Sequence, residues 1–421
     1  MHIQEHISLK ELTTMKIGGT ARYFCSASTR EEVEEAVLFT HGKKVPVIVL
    51  GGGSNILIAS GEINALVLKI EIKGIKWYED ILKFRDSDSV TSQNFNISKF
   101  QNAVFVVVGA GESWDGLVAR AIEKGFWGIE NLSGIPGTVG AAPIQNIGAY
   151  GTEVKDTILW VEVFDIAAGK LRQLTNAECR FAYRDSIFKK PEGKSLIVTR
   201  VAFALKKGGT SNLEYKDLKN YFAAPGFSPS LEVRSEDLEL RKTLSIPLWM
   251  RKVYSFCKKE NERGGAHPTS ILPSKEGRRK EPTLAEIRRA VLEIRSRKFP
   301  DLSVVGTAGS FFKNPIIPKE KFDTLKQKFP DLPGFPISLS PSLEGETGEG
   351  VKIPLAWILD NVCNLKGATD GNVGMFKNQP IVLVNFGGAT FEEVMLLAKK
   401  VADCVREKTG IDVECEVQQI K

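Results

Sequence analysis

Apolar runs alternate with polar, glycine-rich breaks along most of this chain, and two periods are legible in them. Short continuous runs predict buried strands at VPVIVLG (45–51), ALVLKI (65–70), AVFVVVGAG (103–111), ILWVEVFD (158–165), SLIVTRVAFAL (195–205) and QPIVLVNFG (379–387). The 3.6-residue period predicts helices between them. Ser28 to Glu31 has capping-box spacing, with Val33, Ala36 and Val37 following on one face. Ser113 caps a helix carrying Leu117, Val118, Ala121 and Ile122, and Gly125 ends it. Thr283 to Glu286 opens a helix striped by Leu284, Ile287, Val291 and Ile294. Thr390 to Glu393 opens another, with Val394, Leu397, Ala398, Val401 and Val405 on one face. The alternation DVECEVQQI (412–420) predicts a closing strand that puts Glu414 and Glu416 on the same face.

Two stretches break the pattern. DSDSVTSQNFNISKFQN (86–102) is polar throughout and reads as a loop or hairpin tip. Residues 219–282 are rich in Pro, Gly, Ser and charge, with weak periodicity, and read as an insertion. The chain then divides into an α/β unit (1–70), a strand-rich unit (71–208) and a third unit (209–421) that carries the insertion. A length of 421 residues with 42% hydrophobic and 26% charged positions suits a soluble, globular protein. No apolar run approaches the roughly 18 residues of a membrane helix, and MHIQEHISLKEL lacks the form of a secretory signal. The expected location is the cytoplasm. Six scattered cysteines without a CxxC pair, and histidines only at 2, 6, 41 and 267, form no metal-ligand spacing. The net charge of +6 is local: Lys275 to Lys298 holds nine basic against four acidic residues. Their interspersion on a helical pattern suits a solvated face or attraction of an anionic substrate better than nucleic acid.

Four segments carry candidate chemistry. LGGGSNILI (50–58) sets three glycines between strand-like runs, so the backbone of Gly51, Gly52 and Gly53 can turn N–H groups toward an anion, with Ser54 and Asn55 beside them. It matches neither the P-loop nor the dinucleotide fingerprint, and a plain glycine turn is the alternative. IENLSGIPGTVGAAPIQNIGAYG (129–151), broken by Pro136 and Pro143, must run as an extended loop able to lie along a flat cofactor. In FAYRDSIFK (181–189), Arg184 is either a clamp on a carboxylate or oxyanion, or a partner of Asp185. GTAGSFFKNP (306–315) places Ser310 beside two aromatics, Lys313 and Asn314, and a helix-cap or turn serine is the alternative. No histidine base lies near it in sequence, which disfavours acyl transfer, whereas a proton-donating serine needs no triad.

These segments, in this order, resemble the UDP-N-acetylenolpyruvoylglucosamine reductases, also called UDP-N-acetylmuramate dehydrogenases. The resemblance runs from TTMKIGGTARYF (13–24) to the last strand. It implies an α+β fold: a two-part FAD-binding region of the PCMH or vanillyl-alcohol-oxidase type, then an α/β substrate-binding domain. It implies NADPH as hydride donor, FAD as relay, and UDP-N-acetylglucosamine enolpyruvate as the substrate reduced to UDP-N-acetylmuramate. By match to the motifs, Arg184 steadies the enolate-like charge, Ser310 protonates the inner carbon, and Glu416 assists as acid or polarising partner. Gly51, Gly52, Gly53, Ser54, Asn55, Ile135, Gly137, Ala141, Ile144 and Gly148 take the flavin positions. Tyr150, Tyr215 in LEYKDL, Lys298, Asn314 and Gln379 take the substrate positions, and Tyr215 points to the subtype with a substrate-covering tyrosine loop.

Departures accompany the match. Ala141 and Ala142 stand where hydroxyl residues often contact the flavin, Cys415 replaces a usual proline, and Gln418 a usual arginine. The insertion enters just after Tyr215, where a lid over the substrate mouth would sit. Neither histidine nor cysteine occurs in the two glycine-rich loops, so FAD is expected to be non-covalent. The competing readings are another FAD oxidoreductase of the same fold, or a flavin or UDP-sugar binding protein without turnover. A monomer, no metal, no membrane and no nucleic-acid partner complete the expectation.

Overall fold

The computed structural model describes residues 1–87, 102–224, 281–338 and 349–421. The first sheet has four strands in the order Gln4–Ser8, Thr20–Ala27, Glu62–Ile70, Val47–Leu50. Its inner pair and the Val47–Leu50 edge run parallel, with Tyr23 opposite Leu66 and Ile48 opposite Val67. The helix Arg30–Lys43 crosses between Thr20–Ala27 and Val47–Leu50 and buries Val33, Ala36 and Val37. The second sheet has five antiparallel strands in the order Lys170–Thr175, Ile158–Asp165, Leu196–Lys206, Ala103–Gly109, Ile75–Tyr78. Its central strands are apolar on nearly every position because the helix Trp114–Glu123 and the first sheet cover one face and Phe84 packs on Phe105, Val107, Trp160 and Ala202 of the other.

The buried carboxylate of Glu162 joins the two sheets. It accepts from Arg200 Nε and Nη2 at 3.1 and 2.7 Å and from Thr199 Oγ1 at 2.7 Å, and Arg30 Nε reaches it at 3.0 Å from the first helix. Such a charge is tolerated in the interior only because its lone pairs are filled by cations and a hydroxyl.

The remainder builds two small antiparallel sheets, Ile316–Pro318 with Glu349–Lys352 and Phe335–Ser338, and Thr369–Asp370 with Val373–Phe376 and Gln379–Asn385. The helices Leu355–Asn361 and Phe391–Thr409 cover the second of these over a separate core that includes Phe311, Phe312, Leu383 and Val401. Several connections lead back to the first half, among them Asn385 Nδ2 to Met15 O at 3.0 Å. The last strand, Gln418–Ile420, pairs in parallel with Ile56–Ile58. The helix Leu284–Lys298 packs Ile287, Val291 and Ile294 against Tyr150 and Leu218. Among the described residues no helix is long and apolar enough to cross a membrane.

Three expectations need correction. The first helix is capped one residue later than the Ser28 spacing predicts: Thr29 Oγ1 accepts from Glu32 N at 3.2 Å, while the Glu32 carboxylate takes the Ser28 N–H at 2.6 Å. Val47–Leu50 is an edge strand and not a buried one, with Val49 43% exposed. The closing strand spans only Gln418–Ile420, and irregular backbone before it sends Glu414 to solvent and Glu416 inward. The helix Lys216–Ala223 runs into the start of the expected insertion. Residues 225–280 of that insertion, 88–101 of the polar stretch, the 275–280 part of the basic run, Cys257 and His267 lie outside the described residues.

Candidate active site

The two glycine-rich loops meet backbone to backbone. A Cβ on Gly52 would lie 2.7 Å from Gly137 Cα, and one on Gly51 would lie 2.8 Å from Thr138 Oγ1. Gly53 holds φ at +62°, and a side chain there would strike the Leu12 carbonyl at 2.0 Å. Ser54 Oγ donates to Pro136 O at 3.0 Å, clamping one loop to the other. The second loop is fixed from below: Trp114 N donates to Gly137 O at 3.1 Å, Trp114 Nε1 to Leu132 O at 3.0 Å, and Gly134 N to Asp115 Oδ1 at 2.6 Å. Ile135 and Ile144 rest on the main core, and Ser186 Oγ donates to Ile144 O at 2.6 Å. Ala141 lies beside Gly51.

None of the five consecutive N–H groups from Gly51 to Asn55 donates to an acceptor among the described residues, and neither do those of Gly137 and Thr138. Donors without acceptors, all but that of the exposed Gly52 on buried or half-buried residues, form a nest for an anion. A diphosphate linking two flat ring systems fits this donor set, so the residues present suit a dinucleotide.

Arg184 lies at the third position of a tight turn in which Ala182 and Asp185 exchange main-chain hydrogen bonds of 3.0 and 3.2 Å. Its φ is +53°, a left-handed conformation that such a position normally gives to glycine. An arginine held there is backbone strain at a polar site. Its Nη2 donates to Gly148 O at 2.7 Å, and a Cβ on Gly148 would lie 3.1 Å from Nη1, so glycine leaves room for the guanidinium. Nε lies 2.9 Å from Glu416 Oε1, although its N–H is not aimed at that oxygen. Glu416 is buried, and burial raises its carboxyl above the ordinary value, outweighing the cations Arg184, Lys189 and Lys313. Lys189 Nζ donates to Arg184 O at 3.2 Å, and burial, reinforced by Lys313, holds its ammonium below the usual range.

Ser310 enters from a third direction. Its residue bridges Val382, its neighbour Phe311 N donates to Ile381 O at 2.9 Å, and Glu416 N donates to Phe311 O at 2.8 Å. The GTAGSFFKNP segment therefore holds Glu416 by its main chain, and the Ser310 hydroxyl is left without a partner among the described residues. Lys313 reaches the exposed Glu414 at 2.7 Å. Asn314 spends its Oδ1 on Leu355 N at 2.9 Å, at the start of the helix Leu355–Asn361.

The remaining expected residues close a ring. Two residues after Gly148, Tyr150 sits at φ +49° with its ring edge-on to Tyr215, centroids 5.3 Å apart. Burial pushes the Tyr150 phenol up to about 12, against the opposing effect of Arg295. Tyr215 is 43% exposed and precedes the helix Lys216–Ala223, whose Asp217 pairs with Lys298 at 2.5 Å. Arg297 O, beside Lys298, accepts from Asn378 Nδ2 at 2.8 Å, and Gln379 follows at the start of the strand that Ser310 bridges at Val382. Sequence reasoning missed Tyr183, whose ring lies 5.5 Å from Arg184 Cζ, although it stands next to Arg184 in the quoted motif. It also missed Arg295, which donates Nε to Gly134 O at 3.1 Å and stacks on Phe299 at 4.7 Å. Its place on the apolar face of a basic helix gave no sequence signal.

Comparison with known proteins follows the same division. Residues 21–175 match the family profile of an FAD binding domain, and residues 301–420 match that of the C-terminal domain of UDP-N-acetylenolpyruvoylglucosamine reductase. The chain is 33% identical over 417 residues to the Chromobacterium violaceum protein of that name, covering 99% of this chain and 98% of that one. It is 34% identical over 421 residues to the Flavobacterium johnsoniae protein, covering 100% of both. Its fold is similar to the crystal structure of the enzyme from Thermus caldophilus, with TM-score 0.55 and 22% identity over 100% of both chains.

Proposed function

Because the chain belongs to the UDP-N-acetylenolpyruvoylglucosamine reductase family, we infer that it reduces UDP-N-acetylglucosamine enolpyruvate to UDP-N-acetylmuramate, in peptidoglycan precursor synthesis. It is an FAD-dependent oxidoreductase with NADPH as the donor. Bound non-covalently, FAD supplies the relay by which a hydride from NADPH reaches the outer carbon of the enolpyruvyl alkene. Gly51, Gly52, Gly53, Ser54 and Asn55 would take its diphosphate on their N–H groups, with Ile135, Gly137, Ala141, Ile144 and Gly148 along its length.

The protein residues act on the charge and the proton. As hydride adds to the outer carbon, negative charge develops on the inner carbon and the attached carboxylate. Arg184, held by Gly148 O and facing Glu416, is the cation aimed at that charge. Ser310, with its hydroxyl unengaged, gives a proton to the inner carbon, completing addition of one hydride and one proton across the double bond. Glu416, whose neutral form burial favours, serves as acid or as hydrogen-bond donor to the carboxylate. Tyr150, Tyr215, Lys298, Asn314 and Gln379 surround the UDP-sugar, with Tyr215 as the covering tyrosine. The protein works as a cytoplasmic monomer in this reading.

The observation that carries the assignment of roles is the buried contact of Arg184 with Glu416 beneath the Ser310 segment. The test is anaerobic. The bound flavin is reduced with NADPH, UDP-N-acetylglucosamine enolpyruvate is added, and flavin absorbance is followed. Reoxidation without oxygen is expected. A flavin that stays reduced would point to a different acceptor, and fast reaction with oxygen alone to an oxidase.

A further inference from the structure

Lys352 ends the strand Glu349–Lys352 and projects a half-buried ammonium that has no carboxylate or other acceptor among the described residues. Its Nζ lies 5.0 Å from the centroid of the Tyr183 ring, and Arg184 Cζ lies 5.5 Å from the same centroid. One aromatic ring thus holds two cations within 6 Å of its centre. Glu153 is the acid whose field reaches Lys352, but its carboxylate is engaged by Lys155 Nζ at 2.6 Å and by Asn146 Nδ2 at 3.1 Å. Burial, then the charge of Arg184, holds the Lys352 ammonium below its usual range.

A partly desolvated cation beside a second cation is unfavourable unless an anion joins them. Among the described residues the acid in contact with Arg184 is Glu416, and burial favours its neutral form. Glu416 faces Arg184, and no carboxylate among the described residues pairs with Lys352. Lys298, the cation expected for the diphosphate, is on a different helix and is paired with Asp217. Lys352 stands instead against Tyr183, the neighbour of Arg184. Resting on the substrate assignment above, we propose that Lys352 and Arg184 form a two-cation seat for the carboxylate of the enolpyruvyl ether, and that Lys352 discriminates carboxylate-bearing UDP-sugars from those without one.

The seat explains why a single arginine shared with Glu416 suffices at the reacting carbon. Lys352 holds the ground-state carboxylate, which leaves Arg184 free to follow charge as it develops. Lys352 is a substrate-binding residue in this scheme and neither gives nor takes a proton.

The test uses the full-length, flavin-loaded protein with Lys352→Met and Lys352→Arg. Dissociation constants are measured calorimetrically for UDP-N-acetylmuramate, which carries the carboxylate, and for UDP-N-acetylglucosamine, which does not. We expect Lys352→Met to weaken the first about tenfold or more and the second by less than about twofold, with Lys352→Arg recovering most of the loss. The rate of flavin reduction by NADPH stays unchanged. Equal losses for both ligands would place Lys352 on the diphosphate, and slower reduction by NADPH would place it on the nucleotide; either overturns the proposal, as does no change for either ligand. Wild-type protein that binds neither UDP-sugar would overturn the substrate assignment itself. Unchanged flavin absorbance in Lys352→Arg separates a charge effect from misfolding.

Discussion

The side-chain amide of Asn55 donates to the main-chain oxygen of Glu416 across 3.4 Å, joining residues 361 positions apart. The same amide donates to Gln145 Oε1, and Asn55 O accepts from Gln418 N at 3.0 Å. One asparagine therefore ties the first glycine-rich loop, the second glycine-rich loop and the backbone of the buried acid. In the proposed reading it serves two ends: seating of the cofactor and placement of Glu416. Asn55→Ala is expected to lower flavin retention and, with FAD added to saturation, to slow reoxidation by the enolpyruvyl substrate about fivefold, the equivalent of one lost hydrogen bond. Flavin content after gel filtration and stopped-flow reoxidation measure the two effects separately. A variant that loses flavin yet reoxidises at the wild-type rate once saturated would show that the tether does not position Glu416.

Glu416 sets a pH dependence whose sign follows from burial. Its carboxyl titrates above the ordinary 4.5, so the protonated form persists to higher pH in the folded protein. If that proton is used, anaerobic reoxidation is fast in acid and falls as the pH rises through the raised value. Glu416→Gln should be slow throughout and lack this limb. Stability moves the same way. Relative to the glutamine variant, wild type is most stable below the ordinary carboxylate value and loses that margin as the pH rises. Urea unfolding of both proteins across the range checks it, and a margin that grows with pH would contradict a neutral buried Glu416.

Ser310 offers a cleaner division between the two half-reactions. Its hydroxyl has no protein partner among the described residues, so Ser310→Ala removes no recorded structural hydrogen bond. Flavin reduction by NADPH should be unchanged. Reoxidation by the enolpyruvyl substrate should fall about 10²-fold or more, the usual scale for a lost acid catalyst. Stopped-flow traces of each half-reaction at one pH decide the matter, and equal slowing of both would remove Ser310 from the protonation step.

Much of this arrangement was legible in the chain. The strands Ala103–Gly109, Ile158–Asp165 and Gln379–Asn385 follow from their continuous apolar runs, because both faces of each are covered. The capping boxes at Thr283 and Thr390 stand where spacing put them, since side chain and N–H exchange hydrogen bonds within one turn. The first helix shifted by a residue because Ser28 and Thr29 offer equivalent hydroxyls, and only the Glu32 carboxylate distinguishes them. Val47–Leu50 reads as buried from composition alone, but edge position is a property of the whole sheet. The split between Glu414 and Glu416 escaped because the alternation assumes a regular strand, whereas the Phe312–Cys415 bridge is isolated. Arg295 and Lys352 escaped for a different reason: each acquires its role from a partner more than a hundred residues away, Gly134 and Tyr183 respectively.

Asp115 holds the second glycine-rich loop, proposed to lie along the flavin, through the Gly134 N–H. Its carboxylate accepts Arg288 Nη1 and Nη2 at 2.7 and 2.8 Å and the Gly134 N–H at 2.6 Å. Burial opposes ionisation, but the Arg288 hydrogen bonds and charge outweigh it, and the carboxyl stays below its ordinary 3.8. A depressed carboxyl contributes stability that is present above the ordinary value and is lost as the pH falls through the folded one. Asp115→Asn should therefore destabilise the protein near neutral pH and converge on wild type in strong acid. Because the side chain is 35% exposed, the neutral-pH loss should stay near about 1–2 kcal/mol. The variant should also release flavin more readily, since Gly134 begins the loop that carries Gly137. Urea unfolding at neutral and acid pH, with flavin content measured on the same samples, tests both parts. A loss that persists undiminished below the ordinary carboxylate value would mean that Asp115 acts through packing and not through its charge.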